Sequence, residues 1–326
     1  MSADESAVAP VRMIAVDLDG TLIGVGGRVS ERNLLAIRAA ERAGVEVVVA
    51  TGRRHSYAMK LLRGLGFRDR AVLVSSNGTV TRRIGSELME RNHLSRVTAE
   101  WLVGQVREFR NALVVTFDTV DARGEDRRGA LVVEEMEDLH GSIGKWMVAN
   151  EPYIAHVRPI ERSLEMGEPI QMMLCGTVER MRRAEACLRE DGRVQGVGAA
   201  DRVGVEVVLH RTEYPERDLS ILDILPAGCS KGVALLRLAE RWGFGAGEMM
   251  AIGDNWNDLP MLEVAGWPVL MGNAPEELRE MAEARGWEMT GRNDEDGVAE
   301  AIERMLRGRG EMEGVAFEEV AGAGAR

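Results

Sequence analysis

The sequence predicts an α/β protein: a doubly wound parallel-sheet core with an α+β cap domain inserted into it. Three observations predict this. At the N-terminal end, wholly apolar runs alternate with amphipathic stretches, the pattern of parallel strands covered by helices on both faces. From about residue 80 the rhythm gives way to short alternating segments between charged turns, as in a more open antiparallel sheet. Near residue 228 the first rhythm resumes. The expected division is a discontinuous core, residues 11–82 and 226–307, around a cap of residues 83–225, with flexible tails at 1–10 and 309–326.

The elements follow in order. VRMIAVDL reads as a buried strand. Ser30 caps a helix through ERNLLAIRAAERA, and Gly44 ends it. VEVVVA is a second strand, TGRR a polar turn, HSYAMKLLRGL a helix and AVLVSS a third strand. In the cap, ALVVTF, ALVVEE, IQMMLCG and VEVVLH read as strands and VERMRRAEACLRE as a helix. On the return, SKGVALLRLAERWG is a helix, EMMAIG a strand, NDLPMLEVAG a helix, WPVLMG a strand and PEELREMAEARG a helix. DGVAEAIERMLRG makes a final helix, and the tail EMEGVAFEEVAGAGAR has no convincing period.

Composition narrows the function classes. The 326 residues, 45% of them hydrophobic, supply a core for one large or two ordinary domains. A net charge of -12 argues against nucleic acid or an anionic membrane surface as the main partner. No apolar run is long enough to span a bilayer, and the opening MSADESAVAPVRM lacks the marks of a secretory signal. The three cysteines, Cys175, Cys187 and Cys229, are scattered and without CxxC spacing. A cytoplasmic protein is expected.

In open α/β sheets, ligands bind beyond the carboxyl ends of the strands. MIAVDLDGTL closes the first strand with Asp17 and Asp19, which would lean the same way if the extended geometry continued. Like charges that close cost stability unless a cation lies between them. The second strand ends in Thr51-Gly52-Arg53 and the third in Ser75-Ser76-Asn77-Gly78. EMMAIG runs into Gly253-Asp254-Asn255-Trp256-Asn257-Asp258. Lys231 begins the helix that returns from the cap, in a chain whose only other lysines are Lys60 and Lys145.

Each part suits phosphoryl transfer. Asp17 can attack phosphorus and hold the group as an aspartyl phosphate. Asp19 can protonate the leaving oxygen and then deprotonate water. Mg²⁺ takes hard oxygen ligands, which Asp17 and Asp254 can supply, with Asp258 near enough to orient waters or restrain Lys231. The Thr51 hydroxyl and the N–H groups of Leu18 and Gly52 can bind phosphate oxygens, and Lys231 adds a compact positive charge. Arg53 is a further expected phosphate or substrate contact, and Asn77 is expected to face substrate.

With DxDGT after the first strand, a strand ending in Thr-Gly, Ser-Lys-Gly after a long insertion and GDNWND late in the chain, the sequence resembles the haloacid dehalogenase superfamily. Order and spacing are similar to its Cof-type (class IIB) sugar-phosphatase branch, which has a Rossmann-like core and a large cap between the second and third motifs. The resemblance covers residues 11–82 and 226–307, including SSNG, NDLPMLEVAG and NDEDGVA; the cap shares only position and approximate size. It implies Mg²⁺-dependent hydrolysis of small phosphate monoesters, sugar phosphates or similar polyols. It further implies Asp17 as nucleophile, Asp19 as acid/base and as metal ligand through its backbone carbonyl, and Asp254 as metal ligand. Thr51, Gly52, Lys231 and Asn257 are the implied phosphate contacts.

The same motifs would serve a phosphomutase or a dedicated biosynthetic sugar-phosphate phosphatase. A non-catalytic sugar-phosphate-binding regulator is disfavoured because Asp17, Asp19, Lys231 and Asp254 are all present. A dehalogenase would not need Asp19. The oligomeric state is left open. GFGAGE precedes a strand and so is no dinucleotide fingerprint. The five histidines show no zinc spacing and read as structural, with His55 nearest the expected pocket rim. Cys229 and Trp256 read as packing residues, and the basic stretch at 123–128 reads as a solvated cap turn.

Overall fold

A computed structural model describes residues 10–68, 70–136, 139, 141–196 and 203–308. The expected tails lie outside the described residues, Pro10 excepted. The first apolar run forms β1 (Met13–Val16), buried at every position. Ser30 caps α1 (Glu31–Arg42) by accepting the Asn33 N–H, and Gly44 follows with φ +82°. β2 (Glu46–Ala50), α2 (His55–Leu62) and β3 (Val72–Ser75) come next, then β4 (Val80–Arg83) and β5 (Leu88–Arg91). The insertion holds α3 (Arg96–Gln105), β6 (Leu113–Thr116), β7 (Leu131–Val133), α4 (Gly144–Asn150) and β8 (Ile154–His156). It continues through β9 (Gln171–Gly176), α5 (Val178–Arg189), β10 (Val194–Gly196), β11 (Val207–Tyr214) and β12 (Leu219–Pro226). The chain returns with α6 (Lys231–Trp242), β13 (Met249–Gly253), α7 (Leu259–Val264) and β14 (Trp267–Met271). It closes with α8 (Glu276–Ala284), β15 (Glu288–Thr290) and α9 (Gly297–Gly308).

The first sheet has the order β15-β14-β13-β1-β2-β3-β4-β5 and is parallel from β15 to β3. Alternation along β1 divides the core in two. Ile14 and Val16 pack with Ile37 of α1 and Ile302 of α9, whereas Met13 and Ala15 pack with Leu235 of α6 and Leu278 of α8. Helices thus cover both faces, which makes the sheet doubly wound. The winding direction reverses between β1 and β13, so the crevice at their carboxyl ends is where ligands are expected.

The core sheet continues past residue 82, where the sequence reading begins the cap. β4 and β5 pair antiparallel at its edge, with a register shift between Thr81 and Arg82. β5 (LMER) is the edge strand and keeps much of its charge in water, whereas β4 (VTRR) is mostly buried, its Arg82 paired with Asp118 at 2.5 Å. An antiparallel edge of this kind reads like a cap strand, and period alone does not separate the two.

The second sheet has the order β10-β11-β12-β9-β6-β7-β8 and is antiparallel except for the β10–β11 and β7–β8 pairs. On one face Met172, Leu174, Leu222 and Ile224 pack with Leu102 of α3 and Met181 of α5. The intervening Met173, Cys175, Leu219 and Ile221 point the other way, into a cluster that includes Trp146 of α4. This second face looks onto the strand ends of the core.

Candidate active site

β1 delivers Asp17 into the interior: its N–H continues the ladder to the Ile252 carbonyl at 3.0 Å, and its side chain is buried. The chain then leaves the extended form. The Leu18 carbonyl accepts the N–H groups of Thr21 and Ile23, and Gly20 takes φ +85°. A Cβ on Gly20 would lie 2.3 Å from Asp254 Oδ2, so only glycine lets the turn approach this carboxylate. The two aspartates consequently meet different cations instead of lying side by side. Lys231 Nζ donates to Asp17 Oδ1 at 2.6 Å, while Arg53 grips Asp19 through Nε and Nη2 at 2.6 and 2.5 Å. Arg53 also lies over the Tyr57 ring, 4.8 Å from its centroid.

Lys231 is fully buried and donates equally to Asp258 Oδ1, also at 2.6 Å. Asp258 is the linchpin of the GDNWND turn, because its other oxygen accepts the N–H groups of Asp254 and Asn255 at 2.9 and 3.0 Å. Asp254 Oδ1 accepts the Thr21 hydroxyl at 2.8 Å. Asn273 donates to the Gly20 carbonyl at 2.8 Å and to Asp254 Oδ2 at 3.3 Å. Sequence reasoning missed Asn273, although it follows the end of β14 just as Asp254 follows β13. Reading every parallel strand end in the same way would have found it.

The donor set fits a divalent cation. Oxygens of Asp17, Asp254 and Asp258 lie within 4.8 Å of one another, and all three residues are buried. Three carboxylates against the single Lys231 ammonium leave two negative charges without compensation (three minus one). Burial and then Asp258 push the Asp17 carboxyl up to about 7 against the pull of Lys231. The same two causes, with Asp17, raise Asp254 well above the carboxylate range. On Lys231, burial works against the charge, but Asp17 and Asp258 outweigh it and raise the pKa. Asp258 is spent on Lys231 and two backbone N–H groups. Asp254 meets only the neutral Thr21 hydroxyl and Asn273 amide, and Asp17 is bonded to Lys231 through one oxygen, so Asp17 and Asp254 are the residues that could hold the ion.

A cavity of about 340 Å³ opens above these groups between core and cap. Asp17, Asp19, Thr51, Gly52, Arg53 and Asn257 line it. Thr51 does not cap α2, whose N-cap is Arg54; its hydroxyl instead accepts the Arg53 N–H at 3.1 Å. Leu18, Lys231, Asp254 and Asp258 stand behind the wall. Asn77, expected to face substrate, stands behind it as well. With φ +53° it turns its amide to Asp223 at 2.8 Å and accepts from Asn257 at 3.2 Å. From the cap, Lys145, Trp146, Thr212, Tyr214, Arg217 and Asp223 line the cavity with several apolar side chains, and no motif marked them.

Three further readings change. His55 lies away from the cavity, in a small void with Arg82, Asp118 and Asp126 as near neighbours, and burial lowers its pKa to about 4. The stretch at 123–128 is not simply a solvated turn, because Asp126 is buried and accepts from both Arg54 and Ser56 of the core. Trp256 packs against the core and borders a second cleft on the far side of Asp254. Asn255 exchanges bonds with the backbone of Glu213 in β11, receiving its N–H at 3.4 Å and donating to its carbonyl at 3.3 Å. Among the described residues no helix is long and apolar enough to cross a membrane.

The doubly wound core carries buried acids at its switch point beneath a cap, and the family match and the phosphatases among its relatives make the chain a phosphoric monoester hydrolase. The chain belongs to the haloacid dehalogenase-like hydrolases, whose family model matches residues 14–302. It is 29% identical over 313 residues to the 5-amino-6-(5-phospho-D-ribitylamino)uracil phosphatase YwtE of Bacillus subtilis, covering 92% of this chain and 99% of that protein. It is 25% identical over 268 residues to the HMP-PP phosphatase of Shigella flexneri, covering 82% and 86%. Among solved structures, a haloacid dehalogenase-like hydrolase from Bacteroides thetaiotaomicron superposes with a TM-score of 0.67 at 27% identity, covering 90% of this chain and 99% of that one.

Proposed function

We propose that this enzyme hydrolyses phosphate monoesters of small metabolites in the cytoplasm, with Mg²⁺ and through an aspartyl-phosphate intermediate on Asp17. The observation that carries the reading is the buried Lys231, which ties Asp17 to Asp258 beside Asp254 while Asp17 still lines the cavity. A bound Mg²⁺ would be held by Asp17 and Asp254 and would neutralise charge on the phosphoryl oxygens.

In the first half-reaction an Asp17 oxygen bonds to phosphorus as the ester P–O bond breaks, and Asp19 gives its proton to the departing alkoxide. In the second, Asp19 takes a proton from water as that water attacks phosphorus, releasing phosphate and restoring Asp17. Arg53 occupies both Asp19 oxygens in this structure, so proton exchange at Asp19 needs Arg53 to release one of them. The Thr51 hydroxyl and the Gly52 N–H, which line the cavity, would receive phosphate oxygens, with Asn257 beside them and the buried Lys231 opposing the developing charge from behind the wall. The cap excludes bulk water and meets the leaving group. Sugar phosphates are the substrate class that the sequence resemblance implies.

The test is phosphate release from a small aryl phosphate, with and without Mg²⁺, by wild type and Asp17→Asn. Turnover that needs Mg²⁺ and disappears in the variant supports the reading. Turnover that survives in Asp17→Asn removes Asp17 as nucleophile.

A further inference from the structure

Two spaces reach the acidic centre. Asp17 lines the cavity beneath the cap, and Asp254 does not. Asp254 lines the second cleft instead, together with Gly20 and Asn273, and Asp17 does not. Tyr214, Arg217 and Asn255 border both spaces and so stand between them. The bonds that Asn255 exchanges with the Glu213 backbone pin this partition to the core. The two carboxylates that could hold the ion have oxygens within 4.8 Å of each other, yet they face different openings.

The openings differ in size and charge. The cavity measures about 340 Å³ and balances three carboxylates, Asp17, Asp19 and Asp223, with Arg53, Lys145 and Arg217. The cleft measures about 760 Å³, and its lining sets six carboxylates against four arginines. Two of those arginines are already paired, Arg182 with Glu213 and Arg292 with Asp294. Glu276 and Glu277 line the cleft, are exposed, and belong to no ion pair among the described residues. α8 begins here, and these two acids in its first turn outweigh the roughly half positive charge of a helix N-terminus. Mg²⁺ parts with its waters reluctantly, so it needs a wide, wet and negative approach. A phosphate monoester seated beneath the cap would fill the smaller space and leave the hydrated ion no passage there.

We propose that the second cleft is a separate entrance for the cation: a hydrated divalent ion enters and leaves past Glu276 and Glu277 to Asp254, while the phosphate ester enters beneath the cap to Asp17. The proposal rests on the phosphatase reading for the ion's purpose, not for its route. Cation and substrate then bind without waiting for one another, and a filled cavity does not bar the ion. An obstacle in the cleft slows entry and exit alike, so it changes the rates of exchange and leaves the affinity where it was.

The experiment follows Mn²⁺, standing in for Mg²⁺. Loaded protein is mixed with an excess of a colorimetric chelator, and the capture rate reports release. A bulky maleimide is attached in a Cys187→Ser background, since Cys187 is the exposed cysteine. It sits on Glu276→Cys to obstruct the cleft or on Lys145→Cys to obstruct the cavity. The label at 276 is expected to slow Mn²⁺ release at least about tenfold while the Kd stays within about twofold. The label at 145 is expected to leave release within about twofold of the unlabelled protein. Without any label, Glu276→Gln with Glu277→Gln should slow Mn²⁺ association at least about twofold at low salt and flatten its dependence on ionic strength. Release unchanged by the label at 276, or slowed equally by both labels, overturns the proposal. So does an association rate that the two glutamines leave untouched. Failure of the phosphatase reading looks different: wild type would release no phosphate from an aryl phosphate, whereas the Mn²⁺ rates would still tell the two routes apart.

Discussion

Lys231 has no exposed surface, and two carboxylates share its ammonium. Replacing it with Met would leave Asp17 and Asp258 buried without their cation, a change that costs about 3–5 kcal/mol where one partner of a buried pair is lost. Urea unfolding of Lys231→Met should show that loss, and added Mg²⁺ should recover part of it. Turnover should fall by about 10²–10³, the scale on which a positioned charge acts at a transition state. Gly20 gives a second expectation. Gly20→Ala would force a Cβ against Asp254 at a backbone angle that L-residues avoid. The Mg²⁺ concentration for half-maximal activity should rise about tenfold or more, as it does when a ligand's support is disturbed. Asp17, Thr51, Arg53 and Asn257 were legible because each follows a recognisable apolar strand and therefore had to reach the crevice. Asp223 was not, because alternation in LSILDILP shows that the residues share a face but not which face meets the core.

At the scale of elements, α6 matters most because its first residue is Lys231. Ser230 caps it by accepting the Val233 N–H at 3.0 Å. Ser230→Ala should destabilise the protein by about 1 kcal/mol, readable as a lower denaturation midpoint. The 3₁₀ turn Ser76–Gly78 rests on the same place: Gly78 has φ +98°, and a Cβ there would lie 2.2 Å from the Ser230 carbonyl. The helices and parallel strands of the core were legible from period and caps. The expected boundary at residue 82 falls inside β4 and leaves β5 in the cap, because an antiparallel edge and a cap strand obey the same period of two. The short β15 was not read at all, since three residues of the form EMT carry no period to count.

At the scale of the molecule, contacts across the interface hold cap and core together. Arg54 and Ser56 meet Asp126, Arg54 also meets Asn150, Asn255 meets the Glu213 backbone, and Asn77 meets Asp223. Asp126→Ala would leave the buried Arg54 without its carboxylate and should cost about 3–5 kcal/mol, measured by denaturant unfolding. Burial lowers both His55 and His210 to about 4, below the ordinary 6.5. Between those values the unfolded chain takes up protons at these two sites that the folded one refuses, so each histidine subtracts about 1 kcal/mol of stability per pH unit as pH drops from 6.5 toward 4. Asp17 and Asp254, raised by burial, act in the opposite sense. The histidine share is therefore read as a difference: the stability of His210→Asn relative to wild type should be higher at pH 5 than at pH 7, measured by unfolding midpoints.

The insertion of the cap has a consequence for how the protein comes into being. Asp17 and Lys231 are separated by 214 positions, and β1 waits for β13 as a neighbour until the whole cap and α6 have been made. At about 5–20 residues per second that interval is roughly ten to forty seconds. During it the nascent chain holds a strand with one open edge and an aspartate with neither its lysine nor its partner carboxylates. The reactive centre is thus born only with the last third of the polypeptide, and a ribosome that stalls inside the cap releases a fragment incapable of the chemistry.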